Sequence, residues 1–273
     1  MERPHIEFAS QLTWVANELG IELEWHSANW IAQLRHGTET AYVVGFTFPL
    51  NNAASAQLAR DKVATYIVLQ ANGIPAIPHY LLRLTTPGTP ASPASASILT
   101  QVAYPLPFVI KPNEESNGLD VYRVRTNDEL ERAASHLSVR YQAVAISPWA
   151  VIEEEFRVVV LNGISRIIYR KAQSPPGADK EGAEWRHNLA HGATPELVRE
   201  DEVCRVLTAL ALAAMNALGL RFASVDIVTT EKGVSVLEVN SSVTLEHFSR
   251  HSVSNSKLAR EVYRDAVQSM FRI

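Results

Sequence analysis

Two carboxylates and an amide fall on what reads as one hairpin: Asp226 in Ser224-Val225-Asp226-Ile227-Val228, then Glu238 and Asn240 in Val236-Leu237-Glu238-Val239-Asn240. Alternation along a strand puts Glu238 and Asn240 on one face, and a turn at Glu231-Lys232-Gly233 brings Asp226 beside them on the neighbouring strand. Three oxygen donors, in a chain with one cysteine and no Cys/His cluster, suit a hard cation. Mg²⁺, or equally Mn²⁺, keeps some of its waters and shares the oxygens of a substrate phosphate. An exposed sheet face carries the same alternation, so spacing alone leaves both readings open.

Two lysines sit where lysines are seldom needed for solubility. Lys111 ends the apolar run Phe108-Val109-Ile110 and is followed by Pro112, and Lys62 closes Ala59-Arg60-Asp61-Lys62. A lysine at the end of a buried strand pairs naturally with a phosphate or a buried carboxylate. Lys62 also reads as part of a solvated helix face.

The elements that must carry these groups follow from periodicity. Phe8, Leu12, Val15, Ala16 and Leu19 keep helical spacing up to Gly20, and 41–48 reads as a strand. One helix is expected over 55–72, ended by Gly73. Strands are expected at 104–112, 121–124, 143–146, 155–161, 164–170, 222–229 and 234–239, with Asn162-Gly163 marking a hairpin and Ser147-Pro148-Trp149 a turn. Further helices are expected from Thr126, capped by Asn127, and over 196–218 and 255–271. Residues 85–98, rich in Pro, Gly, Ser and Thr, read as an exposed connector, and 172–195 as a long loop, of a length that is usually functional or mobile. No internal repeat is visible.

Composition narrows the partners. With 47% hydrophobic and 20% charged residues over 273 positions, the chain can bury a sizeable core. The 25 Lys+Arg against 29 Asp+Glu leave a net charge of -4, so no basic field draws it to nucleic acid or to anionic lipid. The opening Met1-Glu2-Arg3-Pro4-His5 starts no apolar signal core, and no stretch of 18 apolar residues appears, so a cytoplasmic protein without a membrane span is expected. Cys204, inside the apolar run 203–215, reads as a buried structural thiol.

In this order the motifs resemble the ATP-grasp superfamily of carboxylate-amine ligases, from about Ala41 to the C-terminus. The matching pieces are 49–52 with Ala59-Arg60-Asp61-Lys62; 73–78, Gly-Ile-Pro-Ala-Ile-Pro; Phe108-Val109-Ile110-Lys111-Pro112; Glu155-Phe156-Arg157 running into Asn162-Gly163; Asn188 to Gly192; and Asp226 with Glu238 and Asn240. The branch most similar holds D-alanine ligases, glutathione synthetases and amino-acid ligases. The resemblance implies an α+β fold in which two subdomains clasp ATP, with a shortened α/β layer over 1–58, a smaller subdomain over 59–145 and a larger one over 146–273. A carboxylate would attack the γ-phosphate to give an acyl phosphate, and an amine would then displace phosphate. A kinase or carboxylase relative, or a binding module without turnover, would use the same nucleotide site.

The family pattern further implies a role for each matching residue. Lys62 and Lys111 would hold ATP phosphates, and Arg157 would steady the phosphates or the acyl phosphate. Ser147 and Trp149 fall at the adenine-binding crossing, and Glu153 or Glu155 would meet the ribose hydroxyls. Arg186 and Asn188 would lie near the metal and the γ-phosphate, and Ser241 and Ser242 would border the acceptor, an amino acid or peptide. The loop 113–120 departs from the usual glycine-rich pattern, having Gly118 alone, which leaves Ser116 and Asn117 as its donors. Fewer than 60 residues precede Lys62, so a trimmed substrate-side domain is expected. That favours a bulky acceptor or a homodimer that completes the pocket.

Overall fold

The computed structural model describes residues 6–84, 105–115, 119–172 and 192–273. The elements in chain order begin with α1 (Ile6–Glu18), β1 (Glu22–His26), β2 (Ile31–His36), β3 (Glu39–Val44), α2 (Ala53–Arg60), α3 (Lys62–Ala71) and β4 (Tyr80–Arg83). β5 (Phe108–Pro112), β6 (Tyr122–Val124), α4 (Asn127–Ser138) and β7 (Ala143–Pro148) follow. The chain continues with β8 (Glu154–Leu161), β9 (Ile164–Ala172), β10 (Thr194–Leu197) and α5 (Asp201–Leu218). It closes with β11 (Phe222–Thr230), β12 (Gly233–Asn240), α6 (Glu246–His251) and α7 (Val253–Phe271). Among these helices none is long and apolar enough to cross a membrane.

Three sheets form, in the orders β1-β2-β3, β10-β9-β8-β11-β12 and β4-β7-β5-β6, every strand pair antiparallel. The five-stranded sheet divides its side chains by parity. Phe156, Val158, Val160, Ala223, Val225 and Ile227 turn to the buried stripe of α5, formed by Leu207, Ala211, Ala214, Met215 and Leu218. Val159, Leu161, Ile167 and Phe222 turn the other way and pack with α1, α7 and the N-terminal sheet. The four-stranded sheet buries Leu82, Phe108, Ile110, Val124, Val144 and Ile146 against α4.

Several sequence expectations need correction. The helix expected over 55–72 is two helices, because Asp61 (φ -85°, ψ 109°) leaves helical geometry and its carboxylate caps α3, accepting from the Ala64 N–H at 2.8 Å. Thr126, not Asn127, caps α4, accepting from the Glu129 N–H at 3.2 Å. The helix expected from 196 starts at Asp201, and 194–197 form an edge strand on β9. β7 runs on through Ser147 and Pro148 rather than turning there, and α6 precedes the last helix. Cys204 is half-buried, its thiol directed at the Val198 carbonyl. Helices α2 and α3 pack on α5 and β12. The connector 85–98 lies outside the described residues.

Local stops are chemically clear. α5 ends at Gly219, whose φ of 68° suits a residue without a Cβ, and the Leu220 N–H returns to the Met215 carbonyl at 2.9 Å. A Cβ there would meet Ser55 Oγ at 2.9 Å, so a larger residue would also displace the serine hydroxyl. Asn51 clamps the start of β11: its Oδ1 accepts from the Arg221 and Phe222 N–H groups at 2.8 and 3.0 Å, and its Nδ2 donates to the Phe222 carbonyl at 2.7 Å. Asn51→Ala removes all three, and urea unfolding should show a loss of about 2–3 kcal/mol. An unchanged midpoint would mean that water replaces the clamp at no cost.

Candidate functional site

The polar half of the five-stranded sheet is built row by row from strand register. Tyr169 on β9 faces Arg157 on β8, Arg157 faces Asp226 on β11, and Asp226 faces Glu238 on β12. One step to either side, Ser224 faces Asn240 on one flank and Lys171 neighbours Glu155 on the other. All of these share the face that, further along, becomes the apolar contact with α1 and α7.

Asp226 is fully buried and its two oxygens accept from Arg157 Nε and a terminal guanidinium nitrogen, both at 2.7 Å. Lys171 Nζ lies 3.0 Å from the same carboxylate and also pairs with Glu155. Burial alone would raise the Asp226 carboxyl, but Arg157 and Lys171 outweigh it and hold the group well below the usual carboxylate range. For Glu155 burial wins: its carboxyl is pushed up to about 7 despite the pull of Lys171. On β12, Asn240 Nδ2 donates to Glu238 Oε1 at 3.2 Å, which turns the Asn240 carbonyl oxygen away from that pair.

The smaller sheet presents the opposing face. Register places Leu81, Ala145 and Lys111 in one row, and Ser147, Val109 and Arg123 in the next, on the side away from α4. Leu81 is 48% exposed on this face although it is apolar and lies within a strand. Lys111 is buried, and burial lowers its ammonium to about 8 even though Glu238 and Glu155, on the other sheet, draw it upward. The two faces therefore meet at Lys111.

Lys62 opens α3 and reaches back to the loop after β5. Its Nζ donates to the carbonyls of Asn113 and Glu115 at 3.3 and 2.5 Å, while Asn113 Oδ1 accepts from the Val63 N–H at 3.2 Å. Trp149 carries the Arg123 guanidinium 3.8 Å above its ring centre, and its backbone N–H donates to the Pro107 carbonyl at 3.2 Å. Glu153 is exposed one residue before β8, with its backbone N–H donated to the Thr229 carbonyl.

Beyond β12, the Ser241 hydroxyl donates to the Ala56 carbonyl at 3.2 Å, and the Ser242 and Thr47 hydroxyls lie 2.6 Å apart. The loop after β3 thus borders this end of the site.

The structure brings together Lys111, Arg157, Asp226, Glu238, Asn240 and Glu155, and sets Lys62, Ser147 and Trp149 around the smaller sheet. Arg157 pairs with Asp226, and Glu155 with Lys171. Ser116, Arg186 and Asn188 lie outside the described residues.

Sequence reasoning missed Lys171, Tyr169, Arg123 and His79. Alternation along 164–172 could have put Tyr169 and Lys171 on one face, but only the sheet order shows that this face carries Asp226.

The oxygen donors fit a hard divalent cation. Glu238 and the Asn240 carbonyl lie on one face, and Asp226 is across the register. A carboxylate has about four lone-pair positions, so Asp226 retains capacity beside its two cationic partners.

Comparison with known proteins gives three findings. The profile described as RimK-like ATP-grasp domain matches residues 59–262. The chain is 30% identical over 203 residues to proteins named "Probable alpha-L-glutamate ligase" from Azotobacter vinelandii and Pseudomonas syringae pv. tomato, covering 73% of this chain and 61% of theirs. It therefore spans about three fifths of the length of these curated relatives.

Among solved structures, the fold is similar to D-alanine--D-alanine ligase from Bacillus anthracis, with a TM-score of 0.59 and 19% identity over 81% of this chain and 69% of that one. It is similar also to a bifunctional glutathione synthetase from Pasteurella multocida, with a TM-score of 0.57 and 14% identity over 94% of this chain and 44% of that one. These two likenesses establish the mixed α+β fold of such ligases.

Proposed function

Because the chain belongs to the RimK-like ATP-grasp family, we propose that it uses ATP to join a carboxylate to an amine. The observation that carries this reading is the meeting of Lys111, from the smaller sheet, with Glu238, which shares its face of the larger sheet with Asn240 and Asp226. In the proposed reaction a substrate carboxylate oxygen attacks the γ-phosphorus and ADP leaves. The amine nitrogen then attacks the acyl carbon, phosphate leaves, and the nitrogen gives up a proton as the amide forms.

Lys62 and Lys111 are assigned to the ATP phosphates, and Arg157 to charge that builds on the transferred phosphoryl group. For Lys62 this requires release from the Asn113 and Glu115 carbonyls. Asp226, Glu238 and Asn240 would hold Mg²⁺, or Mn²⁺, which when bound neutralises phosphate charge. Ser147 and Trp149 are assigned to the base. With Glu155 buried against Lys171, the exposed Glu153 is the better partner for ribose hydroxyls. Ser116 is assigned to phosphate contact, and Arg186 and Asn188 to the γ-phosphate, by motif alone. Ser242, beside Thr47, is assigned to the acceptor, as is the backbone at Ser241.

The substrates proposed are an amino acid and an amino acid or peptide acceptor, in the cytoplasm. The printed name of the relatives makes L-glutamate the first compound to test. The test is phosphate release from Mg-ATP over a matrix of amino acids and peptides, with mass spectrometry and Glu238→Gln as blank. The expected result is release that needs two substrates and yields a product lighter by one water than their sum. Saturable ATP binding with no turnover anywhere in the matrix would overturn the ligase in favour of a binding module.

A further inference from the structure

One buried polar group, at the crossing between the two sheets, is used by nothing described so far. His79 is 2% exposed and sits one residue before β4, where the chain leaves the larger sheet for the smaller. Its Nδ1 lies 2.9 Å from the Ile77 carbonyl. A carbonyl only accepts, so Nδ1 carries the hydrogen and Nε2 is left as a bare acceptor. That Nε2 is buried and has no hydrogen-bond partner among the described residues. Burial, then Lys111 and Lys62, lower the imidazole's proton affinity well below its ordinary value, which keeps the lone pair free.

Position gives the lone pair its meaning. Extending the β4–β7 register by one residue sets His79 beside Ser147, on the face that carries Leu81, Val109 and Lys111. An acceptor, His79 Nε2, thus shares a face with a donor, the Lys111 ammonium, close enough to feel its charge, beside the exposed Leu81. Adenine offers the complementary pair on one edge, an acceptor at N7 next to a donor at the exocyclic amine, whereas guanine offers acceptors at both positions. The Lys111 ammonium has three N–H groups, so serving the base does not prevent it from also serving a phosphate oxygen.

The geometry points to His79 as a base-reading residue, its Nε2 accepting a hydrogen bond from the adenine exocyclic amine and so selecting ATP over GTP. This rests on the ATP-dependent reading above and adds to it the residue that identifies the base. A group built to receive a hydrogen bond rejects a ligand that lacks the donor, because it is then left buried and unsatisfied.

The test compares Mg-ATP, Mg-GTP and the Mg complex of purine riboside triphosphate, which lacks only the exocyclic amine, by calorimetric titration of the full chain. Wild type is expected to prefer ATP by roughly 30-fold over purine riboside triphosphate. His79→Phe is expected to fold and to bring that ratio to within about 3-fold by weakening ATP alone. His79→Gln, which keeps an acceptor, should recover part of it.

If folded His79→Phe weakens both nucleotides equally, the imidazole acts through Lys111 and the proposal is overturned. A readout on wild type needs no variant: with 15N-labelled histidine, the Nε2 resonance should be that of a bare nitrogen and should move with ATP but not with purine riboside triphosphate. Equal movement with both overturns the proposal while leaving the ligase intact. Absence of any nucleotide binding removes the ligase reading and this one together.

Discussion

Asp226→Asn will lower folding stability by about 3–5 kcal/mol and turnover by at least about 1000-fold. Both oxygens of this buried carboxylate receive Arg157 at 2.7 Å, and Lys171 stands 3.0 Å away. A neutral amide would leave two buried cations with Glu155 as their nearest remaining counter-charge. The loss should show as a lower urea midpoint, and the turnover should be read where circular dichroism shows the variant still folded.

The sign of the acid dependence follows from the depressed carboxyl. Its stabilisation is complete above the unfolded value near pH 4 and is lost as pH falls below it. The stability gap between wild type and Asp226→Asn should therefore narrow in strong acid. A gap that is small at pH 7 would mean that the Arg157 and Lys171 pairings add nothing beyond their own desolvation cost. Glu238→Gln, which stands outside those pairings, should lose turnover with little change in stability.

Lys111→Met will do the opposite to the fold. Burial lowers the Lys111 ammonium to about 8, so at neutral pH the protein holds a charge its surroundings disfavour. The unfolded chain binds the extra proton between about pH 8 and 10.4, so stability climbs with pH across that window and the penalty is complete below it. Methionine keeps much of the hydrocarbon and removes the charge, and should raise stability by about 2 kcal/mol without nucleotide. ATP affinity should meanwhile fall by at least about 100-fold, since a buried ammonium is exchanged for an uncharged group against a polyanion.

In wild type, kcat/KM for ATP should decline above pH 8 as Lys111 loses its proton. The kcat at saturating ATP should hold further into alkali, because bound phosphates favour the charged form. A stable variant with unchanged ATP affinity would remove Lys111 from the site.

Much of this arrangement was legible before any coordinates. The Asp226, Glu238 and Asn240 hairpin follows from two-residue alternation on either side of a short turn, and Lys111 announces itself by ending an apolar run. These signals are local. The partners of Asp226 are not, since Lys171 reaches it only because β9 and β11 flank β8, an order that no short window of sequence contains.

Asp61 was misread for a related reason. Helical spacing continues across it, and its side chain simply satisfies the next helix's N–H groups better than the continuing backbone would. At 194–197 a short edge strand containing Pro195 offers little alternation to read.

The crossing at Pro75–Ile77 has a mechanical consequence. The Ile77 N–H donates to the Val236 carbonyl at 2.8 Å and the Val236 N–H to the Pro75 carbonyl at 2.9 Å, while Ala76 bridges Val236 in parallel. Val236 lies two residues before Glu238 on β12. If the smaller sheet swings about this tie, displacement grows with distance from the axis. Glu238 and Asn240 sit beside the pivot and stay nearly still, while Arg83 and Ala143, at the other end of the β4–β7 pair, travel furthest. The cleft would then open like a book bound along the Val236 edge, parting the two faces without disturbing Glu238 and Asn240.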